Sequence, residues 1–469
     1  MSTPDEFVER AAEAYGVTLT DEERAALEGG FESMQALYTN LDPETPDSTR
    51  ATDVRAGDDP HNALVREFDL DSGAGALSGI DVGVKENVAV AGVPTSVGSP
   101  AIDFTPDYSA TVVERLAAAG ANVTATTTMD EFALHTSGET SADGVVANPN
   151  DPDAVSGGSS AGSGAAVAAG TLDAAIGTDT GGSIRIPASY CGVVGLKPTH
   201  RAVSRFGVAD LATSLDHVGP LAPDVETASK IYDAIRGADS RDPSSLASNP
   251  PAMTDGLDRG IDDLRIGLVT DGFDGADDDV ADAVRGALDE LSAETVDVDV
   301  PTTNATVPFS AHVGVEFASL VAEDGVLYGT GTGYSDSWRT ELRDADPDEF
   351  GENVRHQLLL ASAVNEADGG ETYLAAWNAR NALSEAVQRA FSDVDALALP
   401  TTPTVAPDHG GVDDQSTLLR TMANTSPWNL TGNPALSVPC GDIDGRSVGL
   451  QFVAPYWGED RLAALGSAI

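Results

Sequence analysis

Two hydrophobic patterns divide the chain near residue 65. In the first part, apolar residues recur at the three- and four-residue spacing of amphipathic helices. These apolar positions are Phe7, Val8, Ala11, Ala12 and Tyr15 in one predicted helix, and Leu27, Phe31, Met34 and Leu37 in a second. Thr20 with Glu23 forms a capping box at the start of the second helix. The stretch 42–60, rich in Pro, Asp and Thr, is predicted to be a linker.

From residue 66 onward, short apolar runs alternate with helical stretches. The predicted strands include Asp81–Val84, Ala121–Ala125, Ala174–Ile176, Leu264–Val269 and Ala396–Leu399. The predicted helices include Ala110–Ala119 and Val280–Leu291. Such alternation favours an α/β sheet with helices on both faces. We therefore predict a helical extension with its linker over residues 1–65 and one large domain over 66–469.

The charge of the chain indicates the salt concentration in which the protein works. The chain has 76 Asp and Glu but only 25 Lys and Arg, a formal net charge of −51. Its three lysines are Lys85, Lys197 and Lys230. Molar salt screens the repulsion within such a surface, which indicates a halophile with a salt-rich cytoplasm. The same charge argues against a nucleic-acid partner, because phosphate binding needs basic patches.

The remaining composition predicts a cytoplasmic protein. The N-terminal residues are acidic and do not resemble a secretory signal, and no apolar run is long enough to span a membrane. The two cysteines, Cys191 and Cys440, are too few for a disulfide framework. Motifs typical of metal sites do not occur, so neither a metal nor a cofactor is expected.

A glycine- and serine-rich segment, residues 156–198, carries the candidate chemistry. It is too apolar to be a solvated linker, and its glycines allow backbone N–H groups to turn inward, as an oxyanion hole requires. A phosphate-binding loop would need a Gly-Lys pair, which the chain lacks. Gly158–Gly162 matches the nucleophile elbow of α/β-hydrolases, with Ser160 as nucleophile. A glycine-rich core turn without chemistry is a further alternative.

The segment resembles the amidase signature family. The resemblance rests on Gly157–Ser160 and Asp179–Arg185, with the lysine segment Gly83–Asn87 before them and Asn433–Pro439 near the C-terminus. It extends over about residues 68–469. The family's fold would be a large mixed β-sheet flanked by helices.

The resemblance also implies a mechanism. Ser183 would be the nucleophile, Ser159 the bridging serine after a cis peptide, and Lys85 the base. A buried lysine can act as a base near neutral pH because burial disfavours its charged form. The oxyanion hole would consist of N–H groups of Thr180, Gly181 and Gly182 with Ser183. Asp179 and Arg185 would brace the loop by a charged hydrogen bond.

Within the family, the N-terminal helices and the glycine-rich stretch Gly329–Tyr334 resemble stand-alone amidases of nitrile pathways. We therefore expect a homodimer that hydrolyses simple carboxylic amides, with Phe132 and Tyr334 lining the acyl pocket. The alternative is the glutaminase (A) subunit of a tRNA-dependent amidotransferase. For that alternative, an arginine is expected near Gln357, and Arg355 is a possible substitute. A catalytically dead binding module would require a broken triad, and all three residues are present.

Overall fold

The structure, a computed structural model, divides the chain into two compact units, Met1–Pro46 and Asp47–Ile469. The residues that it describes are 3–38, 48–246, 251–326 and 336–469. The division between the units falls within the polar stretch predicted to be a linker. Thr52–Ala56 of that stretch forms a strand, so the second unit begins well before the expected residue 66.

The first unit consists of a pair of helices, α1 (Pro4–Ala14) and α2 (Asp21–Tyr38). Helix α2 begins at the capping box expected from the sequence. The N–H of Glu23 donates to Thr20 Oγ1 at 3.3 Å, and the N–H of Thr20 donates to Glu23 Oε2 at 2.9 Å. The rings of Phe7 and Phe31 stack with their centroids 5.6 Å apart, which joins the two helices.

The second unit is built on a mixed β-sheet of twelve described strands. They are β1 (Thr52–Ala56), β2 (Leu64–Asp69), β3 (Asp81–Lys85), β4 (Asn122–Thr127), β5 (Ala174–Asp179), β6 (Val194–Lys197), β7 (His217–Ala222), β8 (Arg265–Val269), β9 (Glu294–Val298), β10 (Ala396–Pro400), β11 (Ala435–Ile443) and β12 (Arg446–Val453). Their order across the sheet is β1-β2-β4-β3-β5-β7-β6-β11-β12-β10-β8-β9. The predicted large mixed sheet with flanking helices is confirmed.

The described helices of the second unit flank this sheet. They are α3 (Thr111–Ala118), α4 (Ala161–Ala168), α5 (Arg185–Cys191), α6 (Val225–Ile235), α7 (Thr270–Asp274), α8 (Asp278–Asp289), α9 (Thr306–Ala322), α10 (Asp336–Asp344), α11 (Glu352–Asp368), α12 (Glu371–Ala390), α13 (Gln415–Thr421), α14 (Ser426–Thr431) and α15 (Glu459–Gly466). The sheet and the helices enclose one main hydrophobic core.

Strands β3, β4 and β5 form the parallel part of the sheet nearest to the candidate chemistry. Strand β3 pairs in parallel with β4 on one side and β5 on the other. All six residues of β5 are buried, as expected for a strand covered on both faces. Polar side chains at the ends of these strands are therefore shielded from solvent.

Helix α9 is the most apolar of the long described helices. With the preceding turn it spans Thr302–Ala322, which by length and composition alone could cross a membrane. Half of the apolar stretch within this segment is buried inside the protein. It packs against α11 and α12. Helix α9 is therefore a core helix of the second unit.

Candidate active site

Lys85 is the last residue of β3, and its side chain is completely buried. Its Nζ lies 2.7 Å from Ser159 Oγ and 2.8 Å from Thr178 Oγ1. Burial lowers the pKa of Lys85 to about 7, and the surrounding carboxylates oppose this effect only in part. A lysine in this state can accept a proton near neutral pH.

The two candidate triad serines occupy different environments. Ser159 is fully buried and follows a cis peptide bond with Gly158, and its carbonyl accepts from the N–H of Asp130 at 3.2 Å. Ser183 is 5% exposed and lines a cavity of about 860 Å³. Within the described residues no hydrogen bond joins the two hydroxyls, so proton transfer between them needs a side-chain rotation. This is common in sites without substrate.

Ser160 lies in a position that excludes it as a nucleophile. Its hydroxyl donates to the carbonyl of Thr178 at 3.2 Å and accepts from the N–H of the same residue at 3.3 Å. The side chain is completely buried and does not line the cavity. These contacts favour Ser183 over Ser160 as the candidate nucleophile.

Asp179 and Arg185 form a bidentate ion pair beneath the loop that carries Ser183. Arg185 Nε donates to Asp179 Oδ2 and its second terminal nitrogen donates to Asp179 Oδ1, both at 2.9 Å, and both side chains are fully buried. Burial by itself would raise the pKa of Asp179, but the charge and hydrogen bonds of Arg185 outweigh it and hold the pKa at about 2. Arg185 also donates to Gln451 Oε1 and Asn429 Oδ1, at 2.8 and 2.7 Å. The pair thus connects the loop to α14 and β12.

The N–H group of Gly182 differs from what the sequence led us to expect. It donates to Asp179 Oδ1 at 2.8 Å, inside the ion pair. The carbonyl on the other side of the same peptide, that of Gly181, accepts from Thr425 Oγ1 at 2.6 Å. Because both ends of this peptide are held, its N–H is not available to an oxyanion. The loop donors without an acceptor in the described chain are the N–H groups of Thr180, Gly181 and Ser183.

The side chain of Thr180 ties the other side of the loop to Asp216. Thr180 Oγ1 donates to Asp216 Oδ1 at 2.6 Å, and Asp216 Oδ2 accepts from the N–H groups of Leu211 and Ala212, both at 2.9 Å. Burial and the nearby Asp210 carboxylate raise the pKa of Asp216. Two carboxylates, one on each side, therefore hold the loop in place.

A cavity of about 860 Å³ opens in front of Ser183. Thr180 and Gly181 lie at its floor, and helices α9, α11 and α13 form its walls. Most of the wall is apolar. The polar and charged groups on the walls are His135, Thr136, Ser310, Asn353, His356, Gln357, Asn365, Thr372, Asp413, Asp414 and Gln415. None of the described lining residues is a lysine or an arginine.

The predicted pocket residues have separate outcomes. Phe132 does not line the cavity, because its ring packs in the core against Phe317 and Phe350, each with centroids 5.6 Å apart. Tyr334 lies outside the described residues. Gln357 does line the cavity, whereas Arg355 is exposed and donates to the carbonyl of Asp348 at 2.8 Å. Arg355 therefore does not replace an arginine in the pocket.

Sequence reasoning missed the residues that hold this site from a distance. Thr178 contacts Lys85 directly, and Asn87 contacts Thr178. Thr425 and Gln451 support the loop that carries Ser183, although they lie more than 200 residues from it in the chain. Asn87 stands two residues after Lys85 within the recognised segment, which was the one available signal. The others carry no local pattern.

A family model described as Amidase matches residues 60–463. The chain belongs to the amidase family. Like its family, it is an enzyme that hydrolyses carbon–nitrogen amide bonds.

Relatives refine this assignment. The glutamyl-tRNA(Gln) amidotransferase (A) subunit of Halobacterium salinarum is 42% identical over 418 residues, covering 87% of this chain and 99% of that protein. The corresponding subunit of Haloarcula marismortui is also 42% identical, over 407 residues, 84% of this chain and 96% of its own length. The solved structure of the same subunit from Thermotoga maritima has a TM-score of 0.74 at 29% identity, covering 95% of this chain and 91% of that one.

These relatives overturn the expected sub-class. The prediction of a stand-alone amidase for simple amides, of nitrile-pathway type, is wrong, because these relatives, 42% identical over most of the chain, are named as amidotransferase subunits. The prediction of a homodimer without nucleic acid is wrong for the same reason, since those relatives are named as subunits of a glutamyl-tRNA(Gln) amidotransferase. The expectation about nucleic acid rested on the net charge alone, and the expectation of a homodimer rested on the N-terminal helices.

Proposed function

We propose that this chain is the glutamine-hydrolysing subunit of a glutamyl-tRNA(Gln) amidotransferase in the cytoplasm of a halophile. The observation that carries the proposal is the 42% identity that extends over 99% of the Halobacterium salinarum protein. The chain would release ammonia from glutamine, and its partner subunits would use that ammonia on glutamyl-tRNA(Gln).

The described site supplies the groups for acyl transfer. Ser183 Oγ would attack the side-chain amide carbon of glutamine, and its proton would pass through Ser159 to Lys85. The developing oxyanion would meet the free N–H groups of the loop, each typically worth about 3 kcal/mol in catalysis. Lys85 would return the proton to the leaving nitrogen, which departs as ammonia. Water would then hydrolyse the glutamyl ester on Ser183.

The cavity walls affect how free glutamine would bind. Asp413 lies in the wall and can pair with the α-ammonium group. The α-carboxylate would meet neutral donors such as the amides of Asn353 and Gln357, because the described wall has no guanidinium. Neutral donors bind a carboxylate less strongly than a bidentate arginine does. The proposal therefore includes a modest affinity for glutamine.

The proposal is tested by reconstitution in molar KCl with the other subunits of a haloarchaeal amidotransferase. We expect glutamine-dependent conversion of Glu-tRNA(Gln) to Gln-tRNA(Gln), and loss of the conversion with Ser183→Ala. Ammonia supplied directly should bypass the Ser183→Ala defect, which shows that the partners remain competent. Ammonia release from propionamide or benzamide by the chain alone, with no glutamine use in the complex, would overturn the proposal.

A further inference from the structure

A chain of three buried polar side chains runs from Lys85 away from the serines. Lys85 Nζ lies 2.8 Å from Thr178 Oγ1, and Asn87 Nδ2 lies 3.2 Å from the same oxygen. Thr178 is 4% exposed and Asn87 6% exposed. None of these contacts is part of the proposed serine relay.

The orientation of the Asn87 amide is determined by a backbone carbonyl. Asn87 Nδ2 lies 3.3 Å from the carbonyl oxygen of Ala209. A carbonyl oxygen can only accept, so the amino side of the Asn87 amide must face Ala209. Its second hydrogen then points to Thr178 Oγ1. Asn87 therefore acts as a donor to Thr178.

The carbonyl side of the Asn87 amide faces the opposite direction. Asn87 Oδ1 is buried without a hydrogen-bond partner among the described residues, and Asn87 lines a small cavity of about 20 Å³. A cavity of this size can hold one water molecule. Its other lining residues include Glu86 and Thr95, which offer further polar partners. This orientation of the amide therefore need not leave its oxygen unsatisfied.

The orientation determines where the hydroxyl hydrogen of Thr178 can go. The Asn87 amide presents an N–H to Thr178 Oγ1, so Asn87 cannot accept the hydrogen of the Thr178 hydroxyl. Within the described contacts of this hydroxyl, Lys85 Nζ is the other partner. An amine nitrogen accepts a hydrogen bond only when it is unprotonated, since an ammonium group has three donors and no lone pair. The Thr178 hydrogen thus has an acceptor only while Lys85 is neutral.

We propose that Asn87 is a positioning residue that acts through Thr178 to keep Lys85 unprotonated in the resting enzyme. The inference rests on the role of Lys85 as the base in the proposed function. The negative charges of Asp130, Asp179 and Asp216 favour the charged form of Lys85. The hydrogen bond from Thr178 would favour the neutral form and so oppose these charges. The same arrangement makes the ammonium formed during acylation a readier proton donor to the leaving nitrogen.

The scarcity of lysine makes this inference directly measurable. Lysine labelled with ¹³C at Cε gives signals from Lys85, Lys197 and Lys230, the three lysines of the chain. Lys85→Arg and Lys230→Arg assign the signals. The titration of the Lys85 signal in molar KCl then reports its protonation without glutamine, partner subunits or turnover.

Asn87→Leu and Thr178→Val are the test variants, and Asn122→Leu is the control. Asn122 stands at the far end of the strand pair, where its amide donates to Asp81 Oδ1 at 2.9 Å on the surface. We expect Asn87→Leu and Thr178→Val to move the Lys85 titration up by about one pH unit, the size of one hydrogen bond. Asn122→Leu should leave it unchanged.

The direction of the shift decides the outcome. If Thr178 merely accepted a hydrogen bond from the Lys85 ammonium, Thr178→Val would move the titration down, because an acceptor and a polar neighbour would both be lost. An unchanged or lowered titration in whichever of the two variants folds would overturn the inference. A raised titration would support it even if the reconstituted complex did not use glutamine, so the two proposals can fail separately.

Discussion

Lys85 Nζ lies 2.7 Å from Ser159 Oγ, and neither side chain has any exposed surface. This contact places a lysine whose pKa is about 7 directly beside a hydroxyl that cannot reach water. In the proposed mechanism, a proton that reaches Ser159 would therefore have Lys85 as its acceptor.

The first prediction concerns pH. A base must be unprotonated, and Lys85 loses its proton as the pH rises through about 7, so ammonia release should increase across that range and then level off. Lys85→Ala should lower the rate about 10²- to 10⁴-fold, the usual contribution of a general base. The measurement is the pH–rate profile of the reconstituted complex with far-UV circular dichroism as the folding control. A profile that falls between pH 6 and 8 would contradict the assignment.

A second prediction separates the serines. A fluorophosphonate probe should label Ser183, since its hydroxyl reaches the cavity, and Ser183→Ala should abolish the label. Ser160→Ala is the matched control and should keep it, because Ser160 is buried on the Thr178 backbone. Peptide mapping of the labelled protein identifies the modified residue. A label on Ser160 would instead support Ser160 as the nucleophile of an α/β-hydrolase elbow.

Stability should depend strongly on the ion pair beneath the loop. Arg185→Met leaves the Asp179 carboxylate buried without its partner, which typically costs about 3–5 kcal/mol. Denaturant unfolding in molar KCl would measure the loss. Arg420→Met is a surface control, since Arg420 pairs with Asp277 where both are half exposed, and it should cost less than about 1 kcal/mol. Equal effects of the two substitutions would contradict the proposed brace.

The wall of the cavity yields a prediction about affinity. Gln357→Arg should lower the KM for glutamine about tenfold if a guanidinium can pair with the α-carboxylate, because a bidentate charged pair is considerably stronger than an amide contact. Gln357→Leu should raise it. Steady-state kinetics of the reconstituted complex measure both. A KM that both variants leave unchanged would show that the substrate carboxylate does not reach this wall.

Salt should control the stability of the whole chain. In dilute buffer the acidic groups that give the net charge of −51 repel one another. At 1 M salt the screening length falls to about 3 Å, which weakens this repulsion. Thermal melts should therefore rise with KCl concentration toward the molar range. A melting temperature that is the same in dilute buffer and in about 2 M KCl would contradict adaptation to salt.

The sequence alone pointed to candidate groups that stand in contiguous segments. Lys85, Ser159 and Ser183 each lie in a short glycine-rich or strand segment with its own pattern, and the alternation of apolar runs with helical stretches predicted the α/β sheet. These features are local, because strand, turn and glycine requirements act on neighbouring residues. Strands β3, β5 and β10 and helices α3 and α8 accordingly occur where the pattern predicted them.

Only the tertiary structure decided which N–H groups face a substrate and what surrounds Lys85. Gly182 stood in the predicted oxyanion hole, but its N–H is taken by Asp179, and the direction of a peptide N–H depends on backbone angles that composition does not reveal. Thr178, Asn87 and Ala209 meet because strands and a loop converge, and Phe132 turned into the core because Phe317 and Phe350 pack against it. Such contacts join residues far apart in the chain, so no local pattern encodes them.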